Sequence, residues 1–255
     1  MSKFKEAILN YDKRRDILIP GDTEETIRTC VEQFIEIAQN AIDNHSFFTV
    51  ALSGGQTPNT IYKKLSEPEN QKRLDWSKVI CFWSDERSVP PDSPESNYHN
   101  AMKAGLNQLP LLPDHIFRMP AEHHIEEQAA AYEAQIRTVL PTGSFDLVML
   151  GMGEDGHTAS LFPKTHALHA SDKLVVANYV PRLNTWRMSL TFECINTAKM
   201  IVIYALGKKK AEMVYKVLTS ELDVENYPVQ NVGTTQHKAL WILDQAAGEL
   251  LRNRA

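Results

Sequence analysis

Short apolar runs separated by stretches of helical spacing constrain this chain more than any other feature. Phe47-Phe48-Thr49-Val50-Ala51-Leu52 is aromatic and β-branched and ends at Ser53-Gly54-Gly55. Comparable runs lie at 79–83, 145–150, 174–180, 200–206 and 239–243. A helix is predicted from Asp22 or Thr23, either of which suits a cap, with Glu24 and Glu25 matched to the positive end of its dipole. Ile27, Val31, Phe34, Ile35, Ala38 and Ile42 then recur at helical spacing. Further helical patterns cover 126–140 and 208–218. Strands apolar on both faces, alternating with helices, predict a mainly parallel α/β sheet with helices on both faces. Ligands of such sheets gather outside the carboxyl ends of the strands. With no internal repeat and no separating linker, one domain spanning 1–255 is expected.

Composition narrows the function classes. The 255 residues are 43% hydrophobic and 23% charged, as in an ordinary globular protein. A net charge of −5 lacks the basic footprint of a general nucleic-acid binder. No stretch reaches the roughly 18 apolar residues of a membrane span, and residues 1–16 carry no apolar core of signal-peptide length. Three cysteines, Cys30, Cys81 and Cys194, without a C-x-x-C, speak against a disulfide framework or structural zinc. The cytoplasm is the expected compartment. The polar stretches 90–100 and 226–238 read as long loops.

Three strand ends carry chemistry. At Ser53-Gly54-Gly55-Gln56-Thr57-Pro58 the glycines allow a tight turn and close approach of a ligand. Thr57 suits a helix cap, Pro58 the first helical position, and the free N–H groups behind them an anion. An ordinary strand-to-helix turn explains the motif equally well. At Asp85-Glu86-Arg87-Ser88-Val89-Pro90, followed by Ser96-Asn97-Tyr98, Arg87 suits a phosphate and Asp85 sugar hydroxyls, although a solvated charged loop has the same composition.

Gly151-Met152-Gly153-Glu154-Asp155-Gly156-His157 closes the third run and contains G-x-G-x-x-G. A dinucleotide site does not fit it. Pro163 leaves only a very short helix behind the glycines, and Glu154 and Asp155 would set carboxylates beside a pyrophosphate. Asp172 precedes the next strand instead of closing it. The motif reads better as a turn presenting His157 as a proton acceptor with Asp155 to orient it, with a helix-capping histidine as the plainer alternative. His123-His124 with Glu126-Glu127 reads as a solvated helix start rather than a metal site, and a serine hydrolase is disfavoured for want of G-x-S-x-G. Lys208-Lys209-Lys210 follow Gly207 at a turn, where one suits a phosphate and all suit solvent.

Taken together, Ser53-Gly54-Gly55-x-Thr57-Pro58, Asp85-Glu86-Arg87-x-Val89-Pro90 with Ser96-Asn97-Tyr98, and the run from Gly151 to Pro163 resemble the 6-phosphogluconolactonase family, within the wider group that includes glucosamine-6-phosphate deaminase. Arg187-Met188-Ser189-Leu190-Thr191 looks like the family's Arg-bearing strand, Gly207-x-x-Lys210-Ala211 like its basic turn, and Trp241-x-Leu243-Asp244-x-Ala246-Ala247 like its final strand and helix. The segments 181–186 and 233–238 depart from the pattern. The resemblance implies a Rossmann-like, deaminase/isomerase-like fold and hydrolysis of 6-phospho-D-glucono-1,5-lactone in the oxidative pentose phosphate pathway. In that reading Ser53, Gly54, Gly55, Thr57, Asp85, Arg87, Arg187 and Lys210 bind the substrate, and His157 with Asp155 activates water. No metal or other cofactor is implied; a monomer or homodimer acting on a small sugar phosphate is expected, without nucleic acid or membrane. A sugar-phosphate deaminase or isomerase and a non-catalytic sugar-phosphate-binding regulator stay open beside it.

Overall fold

The computed structural model describes residues 7–140 and 144–251; residues 1–6 of the segment read for a signal peptide lie outside it. Its strands are β1 (Leu9–Asn10), β2 (Arg15–Leu18), β3 (Phe48–Leu52), β4 (Val79–Trp83), β5 (Asp85–Arg87), β6 (Leu147–Gly151), β7 (Val175–Val180), β8 (Thr185–Leu190), β9 (Met200–Ala205) and β10 (Ala239–Leu243). Its helices are α1 (Thr23–His45), α2 (Gln56–Leu65), α3 (Pro68–Gln71), α4 (Asn97–Ala104), α5 (Ile125–Val139), α6 (Phe192–Asn196) and α7 (Ala211–Thr219).

Seven strands form the main sheet in the order β1-β2-β10-β9-β6-β3-β4. All its pairings are parallel except that of β1 with β2 at one edge. Every residue of β3 and β10 is buried, so both faces of the sheet are covered, as the continuous apolar runs require. Asp22 caps α1, its side chain accepting a hydrogen bond from Glu25 N at 2.9 Å, and the helix runs to His45.

The structure corrects several sequence expectations. The run 174–180 does not join the main sheet. As β7 it pairs antiparallel with β8, which pairs with β5 in a separate three-stranded sheet. Helix α5 packs over β7 and buries its second face, so an antiparallel strand acquired the apolar composition of a parallel one. Helix α4 begins inside the expected loop 90–100, because the Ser96 side chain accepts from His99 N at 3.1 Å and starts it. Lys208–Lys210 is a 3₁₀ turn ahead of α7 rather than its first turn. The expected final helix is replaced by turns over 245–251. Cys30, Cys81 and Cys194 are buried free thiols.

One buried carboxylate ties the end of the main sheet to the loops above it. Asp244, fully buried directly after β10, accepts from Gly207 N at 3.0 Å, Thr23 Oγ1 at 2.6 Å and Ala247 N at 2.8 Å. It thereby anchors the start of α1 and the lysine turn together. Asp244→Ala leaves these donors without an acceptor and is expected to cost about 3 kcal/mol, since each stranded buried group costs roughly 1–3 kcal/mol. The urea midpoint of the purified variant measures this.

Candidate active site

The carboxyl ends of β3, β6 and β9, with the small sheet beside them, enclose a cleft of 810 Å³. Every sequence-selected residue except Asp155 lines it: Ser53, Gly54, Gly55, Thr57, Asp85, Arg87, His157, Arg187 and Lys210. Asp155 stands behind His157.

Ser53 follows β3 and is held from below by Tyr62 of α2, whose hydroxyl accepts from Ser53 N at 3.1 Å and donates to Ser53 O at 2.8 Å. Gly54 leaves room for Asn97: a Cβ there would stand 1.8 Å from Asn97 Oδ1. Gly55 faces open space but has φ +106°, which glycine alone adopts freely. Gly55 occupies the N-cap of α2 and no side chain caps the helix. The expectation of Thr57 as the cap and Pro58 at the first helical position is therefore corrected by two residues: the helix begins at Gln56 because the turn needs Gly55 at its mouth. In its first turn Pro58 has no N–H and Asn59 N donates to Gly55 O at 3.1 Å, which leaves the N–H groups of Gln56 and Thr57 to meet an anion.

At the second strand end, Asp85 is buried and accepts from Ser160 Oγ at 2.7 Å through Oδ2, while its main-chain oxygen accepts from Asn97 Nδ2 at 2.9 Å. Glu86 turns inward, accepting from Arg87 N, Asn97 N, Tyr98 N and Ser96 Oγ at 2.7–2.9 Å. Burial raises its pKa above the ordinary carboxylate value, against the pull of those four donors. The β5–β8 register then sets Arg87 directly opposite Arg187. Two like charges in that position repel. Among the described residues neither lies within ion-pair distance of a carboxylate; Arg87 Nη1 donates to Glu95 O at 2.5 Å and Arg187 Nη1 to Trp186 O at 3.2 Å. Burial, and next to it the Arg87 charge, holds the Arg187 guanidinium below its ordinary pKa. The pair has the electrostatics of an anion site. Lys210 Nζ donates to Met152 O at 2.8 Å, bridging the lysine turn to the third strand end.

That third end is a closed turn. Gly153 N donates to His157 O at 2.8 Å and Gly156, at φ +79°, carries the chain round. No helix follows within reach of the glycines, so no dinucleotide cradle forms. Asp155 Oδ1 lies 2.5 Å from His157 Nδ1. Burial opposes the charge on Asp155, but the hydrogen bonds and charge of His157, with Arg182, outweigh it and bring the carboxyl down to about 2. An ionised carboxylate only accepts, so Nδ1 carries the proton, and in the neutral form of the ring Nε2 is the nitrogen left as acceptor. Phe162 stacks on the imidazole at 4.1 Å, fixing its plane. The result is a half-buried imidazole on a cleft whose wall also carries Arg87 and Arg187, neither with a carboxylate partner among the described residues.

Asn97, Phe162 and Arg182 were not selected from sequence. Asn97 and Phe162 lie inside the motifs and lacked any signal of contact; Arg182 lies in the departing segment 181–186. Among the described residues no three His, Cys, Asp or Glu side chains gather as a metal site, and no helix is long and apolar enough to cross a membrane.

The family model described as glucosamine-6-phosphate isomerases/6-phosphogluconolactonase matches residues 21–241. A 6-phosphogluconolactonase of Chlamydia pneumoniae is 40% identical over 238 residues, covering 93% of this chain and 91% of that one. The solved 6-phosphogluconolactonase of Thermotoga maritima is 27% identical with a TM-score of 0.78, covering 91% of this chain and 100% of that one. A solved monomeric glucosamine-6-phosphate deaminase, 20% identical with a TM-score of 0.77 over 92% of this chain and 99% of that one, shares the fold.

A Cβ on Gly153 would stand 2.1 Å from His157 Nδ1 and 2.5 Å from Asp155 Oδ1. Both side chains can swing outward, so Gly153→Ala is expected to keep the fold and part the pair. Turnover should fall at least about tenfold, a part of the roughly 10²–10⁴-fold that a well-oriented proton acceptor is worth, with the melting temperature nearly unchanged; steady-state rates and thermal melts check this.

Proposed function

Because the chain belongs to the glucosamine-6-phosphate isomerase/6-phosphogluconolactonase family, we propose that it hydrolyses 6-phospho-D-glucono-1,5-lactone to 6-phosphogluconate, the lactonase step of the oxidative pentose phosphate pathway. The observation that carries the reading is the Asp155–His157 pair with Nε2 free, on one wall of a cleft that also holds the unpaired Arg87 and Arg187. In this reading the arginines, Lys210 and the N–H groups of the Ser53–Thr57 loop hold the phosphate, and Asp85 faces the sugar hydroxyls. His157 Nε2 takes a proton from water as the water oxygen bonds to the lactone carbonyl carbon. The tetrahedral adduct collapses, its bond to the ring oxygen breaks, and the proton passes from His157 to that oxygen. The product acid then ionises in water.

Asp155 keeps the imidazole in the required tautomer and stabilises the imidazolium formed on the way. General-base help of this kind is worth about 10²–10⁴-fold, and the phosphate anchor adds positioning. The lactone is activated by its own ring, so the step needs no covalent nucleophile. Deamination of glucosamine 6-phosphate runs on the same fold, but the similarity to the chlamydial lactonase favours hydrolysis. The reading includes one lactonase domain, a monomer or homodimer, in the cytoplasm; three buried thiols suit a reducing compartment.

A coupled assay that generates the lactone in place, run beside glucosamine 6-phosphate, tests the reaction. His157→Ala is expected to abolish most turnover with phosphate-ligand affinity nearly unchanged, because loss of a base acts on the chemical step. Asp155, held at about 2 against an ordinary 3.8, stays ionised at every workable pH and gives up its charge only as the pH falls towards 2. After subtraction of spontaneous hydrolysis, turnover should therefore fall on the acid side along a one-proton limb that is not that of Asp155. A corrected rate flat down to about pH 4 would assign proton abstraction to a carboxylate instead.

The phosphate anchor has its own test. Arg87→Ala and Arg187→Ala should each lower the kcat/KM ratio of phosphorylated to unphosphorylated gluconolactone at least about tenfold, since a hydrogen bond to a charged group is worth roughly 1.5–3 kcal/mol. Lys210→Ala should lower it less, because its one nitrogen is already tied to Met152 O, whereas each guanidinium keeps further nitrogens beyond the Nη1 bonded to a main-chain oxygen. A ratio unchanged in all three variants places the phosphate elsewhere.

A further inference from the structure

Arg182 belongs to none of the motifs that the function absorbs. It stands on the 3₁₀ turn Pro181–Leu183 between β7 and β8, and its side chain is 52% exposed. From there its Nη2 reaches Asp155 Oδ2, the oxygen that His157 leaves over. That oxygen is shut off from solvent and has no hydrogen-bond partner among the described residues, so the ion pair with Arg182 is the polar contact it makes. The same guanidinium lies 5.0 Å from the centroid of the Phe162 ring, the ring that stacks on His157 at 4.1 Å. Arg182 thus touches both groups that fix the imidazole: the carboxylate that sets its tautomer and the ring that sets its plane.

We propose that Arg182 is a positioning residue for the hydrolytic step, holding Asp155 turned towards His157 Nδ1. The inference rests on the reading of His157 as the base. A carboxylate rotates readily about its last torsion, and the main-chain N–H of His157 at 3.3 Å is a weak restraint on Oδ1. With Oδ2 pinned by a cation, rotation away from His157 costs a second contact. The fold has a small stake in this ion pair, because its Arg182 side is half exposed and water can replace it once the side chain is cut back. The small antiparallel sheet therefore has a catalytic task beyond carrying Arg87 and Arg187: its β7–β8 turn reaches over and sets the direction of a carboxylate on the main sheet.

The experiment measures kcat and KM for the phosphorylated lactone in Arg182→Ala and Arg182→Lys, each alone and with Asp155→Asn, with His157→Ala as reference. Arg182→Ala should lower kcat about tenfold, within the range of coupling between groups in one network, and change KM less than about twofold. Arg182→Lys should recover most of the loss, because an ammonium can still meet Oδ2. In the Asp155→Asn background, Arg182→Ala should change kcat less than about twofold, since the charge that Arg182 holds is gone. Wild-type kcat in Arg182→Ala, an equal fall in both backgrounds, or a rise in KM alone overturns the inference; the last would make Arg182 a substrate contact. His157→Ala at wild-type turnover overturns the base assignment and this inference with it. Loss in His157→Ala with none in Arg182→Ala overturns only the role of Arg182.

Discussion

Parallel pairing forces the strands of the main sheet to end at one edge, where the polar groups of the departing loops must find partners off the sheet. Buried carboxylates meet that demand here. Glu86 gathers four donors from β5 and the start of α4, and Asp244 gathers the lysine turn, the start of α1 and the chain after β10. Each is almost wholly enclosed and surrounded by donors, the condition under which a buried carboxylate is tolerable. The loops that shape the cleft are thus anchored from beneath, and Arg87 and Arg187 keep no carboxylate partner among the described residues, only main-chain oxygens.

The cleft has a charge opposite to that of the chain. A net charge of −5 does not announce an anion site, yet six basic residues, Arg87, Arg182, Arg187 and Lys208 to Lys210, line one volume. Arg87 and Arg187 stand opposite each other across two antiparallel strands. That arrangement is unfavourable in the empty protein and favourable once a dianion lies between the guanidiniums. Repulsion stored in the free site is offset by the anchors below it, so in the proposed reading phosphate recognition and loop rigidity depend on the same buried acids.

The fold is shared with a deaminase, so the sheet alone does not select a reaction. In the proposed reading the proton transfer belongs to the turn after β6. Glycine at 153 is required because Asp155 and His157 fold back over it, and at 156 because φ is positive and Tyr227 packs at 3.0 Å from where a Cβ would stand. A turn this tight brings residues two apart in sequence into one hydrogen bond, which few other local structures do.

The sequence by itself determined the parallel sheet, the strand ends and most of the cleft lining, because runs such as 47–52 and 145–150 encode burial on both faces and their closing glycines encode turns. The Asp155–His157 contact was legible for the same reason: both partners lie within one short turn, where local geometry decides. Tertiary structure alone decided the rest. The run 174–180 has the composition of a parallel strand, and only α5 and β8 show it to be antiparallel, since burial leaves a mark in sequence and pairing direction does not. Arg87 and Arg187, a hundred residues apart, became opposite through strand register, and Arg182 reached Asp155 through a turn whose sequence names no partner. Contacts between distant segments depend on how whole elements pack, and no spacing within a segment records them.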